Sequence, residues 1–296
     1  MSEPPVPPVA PVPPAPAEPG PSVLARAFGV LAVFGPDRLD LSLSDIARRS
    51  GLPLTTAHRI VGELARWGAL ERTERGRYQV GLRLWEVGAL APRGHGLREI
   101  AMPFLEDLFE VTRQNVQLAV LDGMDAVYVE RMSARDAVPL ISRAGGRLPL
   151  HATGVGLVLL AFSDAEFQER VLAAPMRRFT DRTISSADEL RRVIADVRQR
   201  RFAVTEGQIT VGAVSVAAPV YGQGGRVAAA LSVTVPSENP AREYIPVVNA
   251  AARGISRGLG WRPEARPAGD PGGTGPEQRG HGEEWAVSPE RVRTRV

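Results

Sequence analysis

The chain has 296 residues, 44% of them hydrophobic, with a net charge of +3 and no cysteine; it exceeds the usual length of one domain and has apolar content for a large core. Without thiols there is no disulfide, thiolate catalysis or cysteine-ligated metal, which fits a cytoplasmic protein. No apolar run approaches the roughly 20 residues of a spanning helix, so no membrane partner is expected.

The first 21 residues, MSEPPVPPVAPVPPAPAEPGP, include ten prolines and have neither a basic nor an apolar leader region. Segment 1–20 therefore reads as a disordered polyproline-like tail, not a secretion signal. Charge then concentrates. Residues 21–93 hold eleven arginines against seven carboxylates, a balance of +4, and all 36 cationic residues of the chain are arginine. Such a segment suits a phosphate-bearing partner.

Within it, residues 41–91 carry two short amphipathic helices, a tight break at Gly51-Leu52-Pro53 and an arginine-tipped hairpin. Ser44 is read as the N-cap of the first helix. In the second, Ala57, Ile60, Val61 and Leu64 fall at i, i+3, i+4 and i+7 and form its buried stripe. Thr55, Thr56, His58, Arg59, Gly62 and Glu63 are left outside. Hydroxyls at a helix start suit phosphate, and an arginine one turn in reaches the O6 and N7 acceptors of guanine. Residues 69–72 and 77–80 bracket Thr73-Glu74-Arg75-Gly76 as a hairpin wing. Segment 21–81 is thus expected to be a winged helix-turn-helix binding double-stranded DNA through Ser44, Thr55, Thr56, His58, Arg59, Arg75 and Arg77. A solvated basic face on a small helical subdomain is the plainer alternative.

A linker helix is expected over 82–96, with Leu82, Leu84, Trp85, Val87 and Leu90 apolar; Trp85 anchors either a symmetry mate or the subunit's own core. From 97 to 260 the pattern is mixed α and β. Residues 100–111 read as a helix with Pro103 in its first turn, 116–121 and 126–132 as strands joined at Asp122–Asp125, and 153–162, 165–173 and 187–200 as helices. Residues 213–220 and 226–235 form a second hairpin and 241–258 a last helix. The fold class is α+β with a largely antiparallel sheet. Segment 261–296 lacks a core pattern and reads as a disordered tail.

Thr153-Gly154 begins a helix whose free amides favour an anion. Ser232 and Thr234, two apart on an apolar strand, share a face, and Ser215 interrupts the neighbouring strand. Such buried hydroxyls either bond one another and water or line a ligand cavity.

DIARRSGLPLTTAHRIVGELARWGALER (45–72), LPLHATGVGLVLLA (148–161) and RFAVTEGQITVGAVSVAAPVYGQGGRVAAALSVTVP (201–236) together resemble the IclR-type transcriptional regulators over about 22–260. The resemblance implies a winged-helix reader joined to a GAF-like α/β effector-binding and oligomerisation domain, assembled as a homodimer or a dimer of dimers. It implies a small-molecule effector, a small organic or aromatic acid, contacted by Gly154, Val155, Thr205, Ser215, Ser232 and Thr234, with Leu140 and Ile141 as apolar wall. Leu54 stands at the recognition-helix entry where relatives often carry lysine or another polar residue, which implies one phosphate contact fewer; Leu157 stands where lysine is common and Thr205 where an acid is frequent, and a pocket without that acid favours a less polar ligand. An enzyme is not expected. The four histidines, His58, His95, His151 and His281, lie apart without metal spacing, and no GxSxG accompanies His151, which reads as structural. No catalytic residue, metal or cofactor is assigned; the competing readings are a hydrolase-like enzyme using the C-terminal pocket and an architectural DNA-binding protein without a ligand.

Overall fold

The computed structural model describes residues 21–35, 37–91 and 95–262; the tail readings for 1–20 and for 261–296 beyond Arg262, with His281, and the linker end at 92–94 lie outside the described residues, whereas Trp261, read as the start of the tail, stacks on Tyr221 with ring centroids 5.0 Å apart. The first helix, α1 (Val23–Ala32), starts at Ser22, whose hydroxyl accepts the Ala25 amide at 3.1 Å. After β1 (Asp40–Leu41) comes α2 (Leu43–Ser50). Its cap is Ser42 and not Ser44: Ser42 Oγ accepts the Asp45 amide at 3.1 Å and donates to the Asp45 carboxylate at 2.7 Å, whereas Ser44 lies exposed inside the first turn. A capping oxygen must reach the amide three residues on, and only Ser42 has a carboxylate there to return the bond.

Gly51, at φ +69°, ends α2 in the left-handed conformation that glycine adopts without steric cost. Recognition-type helix α3 (Leu54–Trp67) follows at once. Ala57, Ile60 and Val61 are buried as the spacing predicts, with Leu64 half-buried, and Ile60, Val61 and Leu64 pack with Val30, Ile46 and Leu70 into one cluster. Strands β2 (Leu70–Arg72) and β3 (Tyr78–Val80) make the wing, and the sheet order is β1-β3-β2 with antiparallel pairs.

Helix α4 (Leu82–Ala89) is shorter than the linker helix read from sequence, and none of its residues is buried. Trp85 is 68% exposed, so the alternative of core packing within one subunit is not what is seen. A separate helix, α5 (His95–Thr112), carries Pro103 in its interior. The sequence expectation put Pro103 in the first turn. The helix starts at His95, five residues before Ile100, and burial of Ala101, Leu105 and Leu108 offsets the lost backbone bond.

Strands β4 (Asn115–Asp122) and β5 (Asp125–Met132) form the first hairpin, and β6 (Arg147–Pro149) follows a long loop. Helices α6 (Gly154–Ala161), α7 (Ala165–Ala173) and α8 (Ala187–Arg200) come next. The chain then runs through β7 (Ala203–Glu206), β8 (Ala213–Tyr221), β9 (Val227–Pro236) and α9 (Ala241–Gly258). The six strands are ordered β6-β5-β4-β9-β8-β7 and every adjacent pair is antiparallel. Helices α5 and α9 cover one face of this sheet, and α6, α7 and α8 cover the other. No helix among the described residues is long and apolar enough to cross a membrane.

Candidate functional site

Two sites emerge, one on each sheet-bearing part. On α3, Thr55, His58, Arg59 and Glu63 are exposed and Thr56 is half-buried, so the outward face carries the residues the sequence put there. Glu63 is tied to Arg66 at 2.5 Å, which holds its carboxyl below the usual range. Arg59, one turn back, lies within electrostatic reach of the same carboxylate but makes no ion pair among the described residues. In the wing, Thr73-Glu74-Arg75-Gly76 closes with the Gly76 amide on the Thr73 carbonyl at 2.9 Å and Gly76 at φ +74°. Arg75 stands exposed at the tip. Arg77 does not share that freedom: its Nε donates to the Asp40 carboxylate and its Nη2 to the Asp40 carbonyl, each at 2.8 Å. It fastens β3 to β1.

The second site is a cavity between the sheet and the start of α6. Directly paired residues of a sheet project to the same side. Pairing therefore lines up Asn115, Thr234, Ser215 and Thr205 as one row across β4, β9, β8 and β7, and Arg131, Gln117, Ser232 and Ala217 as the next row across β5, β4, β9 and β8. Opposite these rows, Thr153 caps α6 by accepting the Gly156 amide at 3.0 Å. The cap uses one of the helix's first amides and leaves those of Gly154 and Val155 at the cavity. Gly154 makes the approach feasible, since a Cβ there would lie 3.1 Å from Ser215 Oγ. A Cβ on Gly156 would lie only 2.4 Å from the Leu150 carbonyl oxygen.

The cavity holds about 460 Å³ of empty space, solvent at its mouth included. Thr205, Ser215, Ser232 and Thr234 line its floor, Gly154 and Val155 its helix side, and Leu140 and Ile141 its outer wall. All eight effector residues named from sequence thus meet at one place. Sequence reasoning missed Gln117, Tyr128, Ser142, Gln208 and Thr210, which also line it. Gln117 carried the same signal as Ser232, a polar residue two from Asn115 on an otherwise apolar strand. Its amide donates to Ser142 Oγ at 2.5 Å and its carbonyl accepts from Ser232 Oγ at 3.4 Å. Burial pushes the Tyr128 phenol well above its ordinary pKa, so it stays a neutral partner of Thr153.

No charged side chain is among the described residues that line the cavity. An anion here would be held by backbone amides and neutral hydroxyls. His151, buried beside it, has its Nε2 2.9 Å from the Arg177 carbonyl oxygen, the structural role expected of it. Among the described residues no group of His, Asp and Glu side chains could hold a metal.

Comparison with known proteins gives a consistent picture. Residues 91–258 match the family described as bacterial transcriptional regulator IclR C-terminal, and residues 23–74 match the IclR helix-turn-helix domain. The chain is 31% identical over 242 residues to the HTH-type transcriptional regulator XynR of Escherichia coli, covering 80% of this chain and 96% of that protein. It is 32% identical over 244 residues to the glycerol operon regulatory protein of Streptomyces coelicolor, covering 80% and 96%. Among solved structures, an IclR homologue from Microbacterium hydrocarbonoxydans complexed with 4-hydroxybenzoate is 37% identical, with a TM-score of 0.77, covering 80% of this chain and 99% of that one.

Proposed function

The chain belongs to the IclR family of bacterial transcriptional regulators, and from that premise we propose that it binds operator DNA through residues 21–81 and adjusts its operator affinity when a small organic acid enters the cavity of residues 97–260. It is a regulator and not an enzyme, as its relatives are. The observation that carries the ligand half is the cavity itself: the eight residues named from sequence, on five separate stretches of chain, all line it, and its floor is polar but uncharged. Such a surface suits a carboxylate with an apolar or aromatic body. The 4-hydroxybenzoate bound to the Microbacterium homologue makes aromatic acids the first ligands to try. A ligand shifts the regulator only by its differential affinity for two arrangements of the DNA-reading parts, joined here through segment 82–96.

We further infer a homodimer, or a dimer of dimers. Support comes from α1 and α4, where Phe28 is 66% exposed beside Leu24, and Trp85 beside Leu82. Apolar side chains of this size gain from a partner surface. Two recognition helices would then meet successive turns of one DNA face, about 34 Å apart or a multiple of that.

On DNA, Ser44, Thr55, Thr56 and His58 are assigned to the phosphate-facing surface, Arg59 to base reading and Arg75 to the backbone. Arg59→Ala should weaken operator binding by about 1–3 kcal/mol in gel shifts with an unchanged circular dichroism spectrum. Arg75→Ala should weaken binding to every sequence and lower its salt slope. Arg77 contributes mainly through Asp40. Unchanged operator affinity for folded Arg59→Ala would remove that residue from the reading surface.

For the cavity, the test is a thermal-shift screen of small carboxylic and aromatic acids against the chain and its Ser232→Ala/Thr234→Val double variant. A ligand at about 100 times its dissociation constant stabilises by about 2.7 kcal/mol. The double variant should lose about tenfold to hundredfold in affinity per contact. An acid that stabilises both proteins equally and still alters DNA binding would put the effector site elsewhere.

A further inference from the structure

The outer wall of the cavity belongs to no helix or strand. Residues 133–146, between β5 and β6, form a fourteen-residue loop, and loops of this length inside a compact domain usually serve a function. Three hydrogen bonds hold its middle to the sheet. Asn115 Nδ2 donates to the Val138 carbonyl at 2.8 Å, Arg131 Nη1 to the Ser142 carbonyl at 2.6 Å, and Gln117 Nε2 to the Ser142 hydroxyl. Between the fastened ends sit Pro139, Leu140 and Ile141. Ile141 lines the cavity and is 60% exposed, so it stands at the mouth.

The two donors that hold the loop's backbone are joined to each other. Arg131 Nη2 donates to Asn115 Oδ1 at 3.0 Å, and the Ser133 hydroxyl donates to the same oxygen at 2.8 Å. Asn115 is fully buried. Arg131 has no carboxylate partner among the described residues, and its Nε is buried without a hydrogen bond. A half-buried cation that gives its hydrogen bonds to a loop carbonyl and an amide is costly. An apolar residue would fill the same place on β5 at less cost, but could not hold the loop. Only a planar fork of donors spans both acceptors, so the choice of arginine is specific.

We propose that Arg131 and Asn115 are positioning residues of the ligand cavity: they fasten the 138–142 segment, which carries Leu140 and Ile141, onto the sheet and thereby set the size of ligand the cavity accepts. The proposal rests on the reading of the cavity as the effector site. Neither residue need touch the ligand. Their influence runs through Val138, whose carbonyl is held by Asn115, and through Ser142, whose carbonyl is held by Arg131 and whose hydroxyl is held by Gln117 on the cavity floor. Releasing the Ser142 carbonyl lets the wall move outward, which widens the site for a bulkier acid while weakening its grip on a small one.

The experiment uses the full chain with Arg131→Met, which keeps the apolar stem and removes the donors, and Arg131→Lys, which keeps one donor. Thermolysin, which cuts before large aliphatic residues, should cleave the ligand-free Arg131→Met protein before Ile141 about tenfold faster than the wild-type chain, with no new cuts in β4 and β5 and Arg131→Lys in between. In parallel, affinities for 4-hydroxybenzoate and the wider 6-hydroxy-2-naphthoate are compared. The preference for the smaller acid should fall about tenfold in Arg131→Met and be partly restored by lysine. Unchanged cleavage before Ile141 would overturn the proposal, as would new cuts in β4 and β5, since those mark a merely structural role. If neither acid shifts the melting of the wild-type chain, the aromatic-acid reading and the selectivity part of the proposal fall together, and the cleavage data decide the fastening on its own.

Discussion

The two faces of the six-stranded sheet are made by alternate residues of the same strands, yet one is filled and the other is partly hollow. Toward α5 and α9, β8 presents Val214, Val216, Ala218 and Val220, and β9 presents Leu231, Val233 and Val235. Toward α6, the same two strands present Ser215, Ala217, Ser232 and Thr234. Branched aliphatics interdigitate with a helix and leave no void, whereas small and hydroxyl side chains leave volume and hydrogen-bonding groups behind. The cavity is thus a matter of strand parity. It needs no missing element and no separate ligand-binding insertion.

Neighbouring residues test that contrast most directly. Leu231→Ala, on the filled face, should cost about 2–5 kcal/mol in urea unfolding, because it removes a buried side chain from close packing. Ser232→Ala, one residue on and facing the cavity, should cost about 1 kcal/mol or less, the worth of one neutral hydrogen bond. Equal losses would mean that the second face is packed as tightly as the first. A smaller and sharper test lies in the two α6 glycines. Gly156→Ala forces a methyl against the Leu150 carbonyl and should cost about 1–3 kcal/mol, whereas at Gly154 the tight contacts are with side-chain atoms of Ser215 and Ala217 that need to give by only a few tenths of an ångström, so Gly154→Ala should cost less and show chiefly as weaker ligand binding. If Gly154→Ala unfolds the protein as readily as Gly156→Ala, the start of α6 is core and not cavity wall.

Much of this was legible in the chain. The α3 stripe, the wing turn and the span of α9 follow from periodicity and turn chemistry, which act over a few residues. Ser232, Thr234 and Ser215 were visible because a hydroxyl on a buried strand breaks an otherwise apolar pattern. What sequence reading missed depends on distant partners or on fine geometry. Arg77 reads from sequence only as a phosphate ligand, because Asp40, with which it also pairs, lies 37 residues away and meets it only through the β1–β3 pairing. Ser42 and Ser44 are interchangeable as residue types, and only the reciprocal bond with Asp45 separates them. Arg131 is invisible as a positioning group until β5 and the following loop are placed together. The short edge strand β7 and the three-residue β6 have too few residues for a pattern to declare itself.

The row that floors the cavity has a consequence for how the protein comes into being. Its members Asn115 and Thr234 face each other across a gap of 119 residues in the chain. Strand β4 can pair with β5 as soon as both have left the ribosome, but its other edge stays open until β9 is made. Pairings of such long range are slow to form, because a large loop must close before any contact rewards it. The capacity to sense a ligand therefore arrives last, after the DNA-reading helices have long been synthesised. During that interval β4 exposes an apolar edge, and anything that delays synthesis between 132 and 227 lengthens the period in which this edge is free to pair wrongly.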